Sequence, residues 1–85
     1  MRIDYHKQFQ KQYKKLPSKV REKFAERLVL FVDNPFAPEL SNHALHGKYA
    51  KYRSINITGD WRVFYEVTGE GVQFSIIDTH SNLYG

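Results

Sequence analysis

The chain contains no cysteine among its 85 residues, which excludes a disulfide framework, a thiolate nucleophile and any cysteine-based zinc site. It also lacks a long apolar run. The longest, Leu28 to Val32, falls far short of the roughly 20 residues that cross a bilayer. The opening Met1-Arg2-Ile3-Asp4-Tyr5-His6 carries no apolar segment of the signal-peptide kind, so a cytoplasmic protein with no membrane partner is expected. There is no glycine-rich phosphate loop, no serine-nucleophile motif and no pair of carboxylates at catalytic spacing. No repeat, low-complexity tract or linker divides the sequence, so residues 1–85 are read as a single domain. With 41% hydrophobic and 15% aromatic residues, the composition is too apolar for disorder. The core is thin, because a chain of this size buries only about two-thirds of its unfolded surface.

Charge is unevenly spread. Residues 1–27 carry nine basic side chains (Arg2, Lys7, Lys11, Lys14, Lys15, Lys19, Arg21, Lys23, Arg27) against three acidic ones. Residues 28–85 carry four basic (Lys48, Lys51, Arg53, Arg62) against six acidic. A pI near 9.4 with the cations gathered this way is the footprint of a nucleic-acid binder. Lysines that merely solvate the backs of two helices leave the same trace, and both readings stay open.

The hydrophobic pattern changes period along the chain. Met1 to Tyr5 alternates as a short strand. Phe9, Tyr13 and Leu16 then recur at helical spacing, with Lys7, Lys11, Lys14 and Lys15 on the other side. Pro17-Ser18 closes this helix and opens a second, whose stripe is Val20, Phe24, Leu28, Phe31 and Val32, and which stops at Asp33-Asn34-Pro35. So close a connection predicts an antiparallel helix hairpin. Beyond Pro38 the period becomes two. Strands are expected at Tyr52–Ile57, Trp61–Val67 and Val72–Thr79, with turns at Thr58-Gly59-Asp60 and Thr68-Gly69-Glu70-Gly71. The fold class is α+β in two layers: an N-terminal strand and helix hairpin packed on an antiparallel β-meander. The helices cover one sheet face. The other is expected to meet solvent and to display Ser54, Asn56, Arg62, Phe64 and Glu66.

Three groups of residues could carry chemistry. His43, His46 and His80 suit proton transfer near neutral pH. A metal would need more convergent ligands than His43 and His46 supply, and none is expected. Surface histidines in loops are the plain alternative. Arg62, on a strand whose opposite face is core, could bind a phosphate through its planar fork or pair with Glu66 or Asp78 across the sheet. His80 follows the final strand directly, rigid at its Cβ yet in reach of solvent, and Tyr84 beyond it could pack or stack. Pattern alone gives a small basic α+β domain and names no reaction.

Four stretches taken together carry a resemblance. They are Asn42-His43-Ala44-Leu45-His46-Gly47, Tyr52-Arg53-Ser54-Ile55-Asn56-Ile57, Gly59-Asp60-Trp61-Arg62-Val63-Phe64-Tyr65 and Thr79-His80-Ser81-Asn82-Leu83-Tyr84. They resemble the RelE/ParE superfamily of bacterial toxins, and within it the YafQ branch, over nearly the whole chain. The resemblance implies a RelE-like fold and a toxin of a type II toxin–antitoxin pair, with a cognate antitoxin as partner. It implies cleavage of messenger RNA in the ribosomal A site without a metal or cofactor: the ribose 2′-OH attacks the adjacent phosphate, leaving a 2′,3′-cyclic phosphate and a free 5′-OH. Such a reaction needs a base, an acid and donors for the added phosphate charge.

Carried over residue by residue, the resemblance makes His43, Asp60 and His80 active-site positions and Arg62 the contact to the scissile phosphate. Phe64, two residues on, would support a base by stacking. Asn56 stands where YafQ-like proteins have another catalytic histidine; an amide can position a phosphate or hydroxyl but cannot shuttle a proton. Arg53, Lys48, Lys51, Lys11 and Lys15 are expected to join Asn56 and Phe64 in holding RNA, with the lysines of the first helix meeting the ribosome. Two other outcomes belong to the same superfamily. One is a ParE-like inhibitor that binds DNA gyrase and catalyses nothing. The other is a degenerate toxin that only binds its antitoxin.

Overall fold

A computed structural model describes residues 1–84. Its elements are β1 (Arg2–Tyr5), α1 (Lys7–Lys14), α2 (Ser18–Asp33), β2 (His43–Ala44), β3 (Arg53–Asn56), β4 (Trp61–Val67), β5 (Gly71–Thr79) and α3 (His80–Tyr84). Single 3₁₀ turns occur at Pro38–Leu40 and Gly47–Tyr49.

The helices begin and end for local reasons. The His6 imidazole caps α1 by accepting from the Gln8 amide at 3.0 Å, and Lys11 and Lys14 sit in the last turn, where the helix dipole favours cations. Pro17 then opens α2: its carbonyl accepts from the Val20 and Arg21 amides at 3.0 and 3.1 Å. Pro35 lies two residues past the end of α2 and cannot extend it. Phe9 and Tyr13 of α1 lock onto Phe24 of α2, with ring centroids 5.6 and 5.7 Å apart.

β3, β4 and β5 form the expected antiparallel meander, extended at one edge by the two-residue β2. β1 joins the same sheet on the far side of β5 and runs parallel to it, so the sheet is mixed and ordered β1-β5-β4-β3-β2. β1 stops at Tyr5, which leaves the upper half of β5 without a strand on that edge. There Gln12 of α1 accepts from the Ile77 amide at 3.0 Å and satisfies the ladder.

One face of the sheet carries the main core. Ile55, Ile57, Val63, Tyr65, Phe74 and Ile77 pack against Phe9, Leu16, Val20, Phe24 and Phe31. Phe74 and Ile77 share this face despite being three residues apart, because the β4–β5 register slips between Phe64 and Tyr65 and leaves Ser75 as an extra residue. Each fully buried aromatic or aliphatic side chain contributes about 1.5–3 kcal/mol.

The opposite face corrects the expectation of an uncovered sheet. Over its middle lies a second small core of Leu45, Phe64 and Leu83, with Tyr49, Tyr52 and Ile76 packed round it. Phe64 and Ser54 are fully buried. Segment 45–52 and the tail helix supply this cover. No helix among the described residues is long and apolar enough to cross a membrane.

Candidate active site

Beside the second core the sheet face opens into a cleft of about 820 Å³. Sheet register sets its floor: Asn56 of β3 lies opposite Arg62 of β4, and Arg62 lies opposite Asp78 of β5. Their chain neighbours Ile55, Ile57, Val63 and Ile77 point into the main core, so strand alternation turns this row away from the helices.

Arg62 is anchored by one nitrogen. Nη1 donates to the carbonyls of Thr58 (2.9 Å), Gly59 (3.2 Å) and Trp61 (3.2 Å), all in or beside the β3–β4 turn. Among the described residues it pairs with neither Glu66 nor Asp78, which removes the cross-strand ion-pair reading. Nε and Nη2 remain for a ligand. Asp78 is otherwise engaged: its carboxylate accepts from the Thr79 amide at 2.8 Å and from Asn82 Nδ2 at 2.9 Å.

His80 begins α3, which Thr79 caps by accepting from the Asn82 amide at 3.2 Å. The His80 amide donates to the Asp60 carbonyl at 2.7 Å, tying this end of β5 to the β3–β4 turn. Its ring lies 4.6 Å from that of Tyr84, one helical turn on, and Tyr84 in turn rests edge-on against Phe64 at 5.9 Å. An exposed imidazole thus stands on an aromatic column rooted in the second core.

His43 enters from the opposite wall, on β2 directly across from Ser54. Its Nδ1 lies 2.7 Å from the Ser41 carbonyl. His46, Lys48 and Tyr49 complete that wall, with the Lys48 ammonium 5.1 Å above the Tyr49 ring. The cleft therefore gathers three imidazoles (His43, His46 and His80), a guanidinium with free donors, two carboxamides (Asn56 and Asn82) and a lysine. No group of three His, Asp or Glu side chains among the described residues is placed to hold a metal.

Several expected residues lie elsewhere. Asp60 is exposed in its turn and does not line the cleft; it reaches the site through its backbone carbonyl. Phe64 is no stacking surface for a base, because the tyrosines and leucines around it leave it no exposed area. Arg53 also needs correction. Alternation puts it on the helix-side face, where Nε donates to Asn42 Oδ1 at 2.8 Å and the guanidinium lies 5.3 Å over Phe36. Lys51 sits over the Tyr52 ring and outside the cleft. Lys11 and Lys15 belong to the helical layer, across the sheet from His43 and His80.

Ser41, Tyr49 and Asn82 were not singled out by the sequence reading, yet all three line the cleft. One signal could have found Asn82: Thr79 is an N-cap residue type, and a helix begun there puts Asn82 in its first turn and Tyr84 one turn above His80.

The full length of the chain, residues 1–85, matches the family model described as the bacterial toxin of type II toxin–antitoxin systems, YafQ. The chain belongs to the YafQ toxin family. Its fold matches the crystal structure of YafQ from E. coli strain BL21(DE3) with a TM-score of 0.82 at 25% identity, covering 99% of this chain and 98% of that one. The toxin in an E. coli DinJ–YafQ toxin–antitoxin complex matches at 25% identity and TM-score 0.69, over 99% and 97% of the two chains. A YoeB/ParE toxin from Agrobacterium tumefaciens shares the fold at 24% identity and TM-score 0.77, over 94% and 99%. No curated protein matches the sequence. In this YafQ-family toxin, Asn56 stands in register with Arg62 on the neighbouring strand at the cleft floor.

Proposed function

We propose that this YafQ-family toxin is an endoribonuclease that cuts messenger RNA held in the ribosomal A site. The observation that carries the reading is the convergence of His43, Asn56, Arg62 and His80 on one cleft, from four separate segments of chain. Such a set supplies what attack of a ribose 2′-OH on its neighbouring phosphate requires. One imidazole takes the 2′-OH proton as the new P–O2′ bond forms. The other protonates O5′ as the P–O5′ bond breaks, leaving a 2′,3′-cyclic phosphate and a 5′-OH. Acid–base help of this kind contributes roughly 10²–10⁴ in rate. The Nε and Nη2 donors of Arg62 meet the extra negative charge that develops on the phosphate, and Asn56 orients it. Asp60 contributes by fixing His80 through its carbonyl.

Lys48 draws RNA to the rim, and the lysines of α1 face the ribosome from the other side of the molecule. The partner in the cell is a cognate antitoxin, in keeping with the DinJ–YafQ complex among the structural matches. The place of action is the cytoplasm, where ribosomes are.

The test is cleavage of ribosome-bound message by purified toxin, with the ends of the products identified. Wild type should yield cyclic-phosphate and 5′-OH ends. His80→Gln should lose roughly 10²–10⁴ in rate, and Arg62→Ala roughly 10²–10³ with a smaller loss of binding. Absence of cleavage by wild type, together with inhibition of gyrase, would replace this reading with that of a binding inhibitor.

A further inference from the structure

Resting on that reading, we propose that Ser41 is a positioning residue which holds His43 as its Nδ1–H tautomer and so makes His43 Nε2 the proton acceptor for the 2′-OH. Three observations carry the inference. First, a backbone carbonyl can only accept, so the 2.7 Å contact between Ser41 O and His43 Nδ1 places the hydrogen on Nδ1. A neutral imidazole has one N–H, and Nε2 is then left with a bare lone pair at the cleft that His43 lines.

Second, the carbonyl is aimed by backbone in an unusual conformation. Ser41 has φ 47° and ψ 45° and is the sole non-glycine residue with positive φ among those described. A side chain at that position resists the left-handed region, which is occupied only where the surroundings impose it, most often at functional sites.

Third, the surroundings do impose it. On one side, the Ser41 amide donates to the Pro38 carbonyl at 3.1 Å, closing the 3₁₀ turn. On the other, Asn42 is clamped from the far face of the sheet. Its Nδ2 donates to the Pro35 carbonyl (2.9 Å) and Tyr65 Oη (2.6 Å), and its Oδ1 accepts from Arg53. His43 itself is paired with Ser54 in the β2–β3 ladder. Arg53, which does not reach the cleft, thus acquires a role: with Asn42 it braces the loop that sets the tautomer of the base. Among the described residues no comparable carbonyl meets the His80 ring, and on this reading the proton donor to O5′ is His80.

The tautomer is read directly. Long-range ¹H–¹⁵N NMR of the whole wild-type chain, at a pH where the ring is neutral, should show His43 protonated at Nδ1 and bare at Nε2. Ser41→Gly, for which the left-handed region is open, should keep that signature. Ser41→Val, for which it is closed, should lose it and cut cleavage of ribosome-bound message by tenfold or more, a part of the roughly 10²–10⁴ a general base supplies. A neutral His43 protonated at Nε2 in the wild type would overturn the inference even if the toxin cuts RNA. So would a Ser41→Val protein that folds, loses the Nδ1–H signature and still cuts at the wild-type rate. An Nδ1–H signature in a toxin that cuts no RNA would overturn the nuclease reading, and with it the use made of Nε2. If Ser41→Val does not fold, the wild-type spectrum decides alone.

Discussion

Substituting Phe64 separates a buried prop from a surface contact for RNA. The ring has no exposed area and is enclosed by Tyr49, Tyr52 and Tyr84 at centroid distances of 5.0, 6.2 and 5.9 Å, with Leu45 and Leu83 closing the cluster. Phe64→Ala empties the centre of that cluster, and removing a buried phenyl costs about 3–5 kcal/mol. A domain of this size holds only about 5–15 kcal/mol in all. At about 4–8 °C per kcal/mol, the melting temperature should fall by at least about 12 °C. Phe64→Leu keeps most of the volume, so a cost near 1.5 kcal/mol and a drop of about 6–12 °C are expected. The loss should also be local first. α3 is held to the sheet through Leu83 and Tyr84, so hydrogen exchange in residues 80–84 should accelerate before that of β4 and β5. Circular-dichroism melts and exchange on the free toxin supply both readings. A Phe64→Ala protein that melts at the wild-type temperature while failing to cut RNA would show the ring to be a surface contact and refute the burial argument.

Three further outcomes follow from single positions. A Cβ on Gly71 would lie 2.0 Å from the Arg2 carbonyl oxygen, so Gly71→Ala should prise β1 from β5 and cost about 3 kcal/mol in denaturant melts. Ser54 Oγ is buried without a hydrogen-bond partner among the described residues, so Ser54→Ala should leave the fold intact and stabilise it by about 1 kcal/mol. Burial, and after it the neighbouring Tyr13, hold the Tyr5 phenol above its ordinary 10.0. The fold thus favours the neutral phenol, and this stabilisation is full below pH 10.0 and lost as pH rises through the raised value. Tyr5→Phe should flatten the alkaline fall in stability measured by urea unfolding.

Much of the fold was legible because it is local. The helical stripe through Phe9, Tyr13 and Leu16, the Pro17 junction and the two turns of the meander follow from period and punctuation. Alternation also placed Phe64 and Arg62 on the face opposite Val63 and Tyr65, which is correct. What alternation does not report is what comes to lie on that face. Segment 45–52 and residues 80–84 have no period of their own, and their Leu45, Tyr49, Tyr52 and Leu83 bury Phe64 only after the chain has folded back. The same limit applies to Arg53. Its strand parity was readable, but its partners Asn42 and Phe36 lie 11 and 17 residues away in a loop. His43, Asn56, Arg62 and His80 could be named from residue type, spacing and resemblance, whereas the Ser41 carbonyl behind His43 belongs to backbone geometry that side-chain pattern does not encode.

The strand order β1-β5-β4-β3-β2 sets the first of the five strands beside the last. Among the described residues β1 has β5 as its sole strand partner, and the apolar stripes of α1 and α2 rest on Phe74 and Ile77 of that same strand. A nascent chain that has emerged only as far as Asp33 is therefore a strand and two amphipathic helices with nothing to lie on. Their contacts close over long stretches of sequence, 69 residues from Arg2 to Gly71 and 43 from Phe31 to Phe74, the kind of long-range pairing that is made late and all at once. The cleft is complete only when residues 80–84 have followed β5 and brought His80 to the Asp60 carbonyl. On the function proposed above, every partial length that stops short of His80 lacks one of the imidazoles the reaction uses and is expected to cut no message.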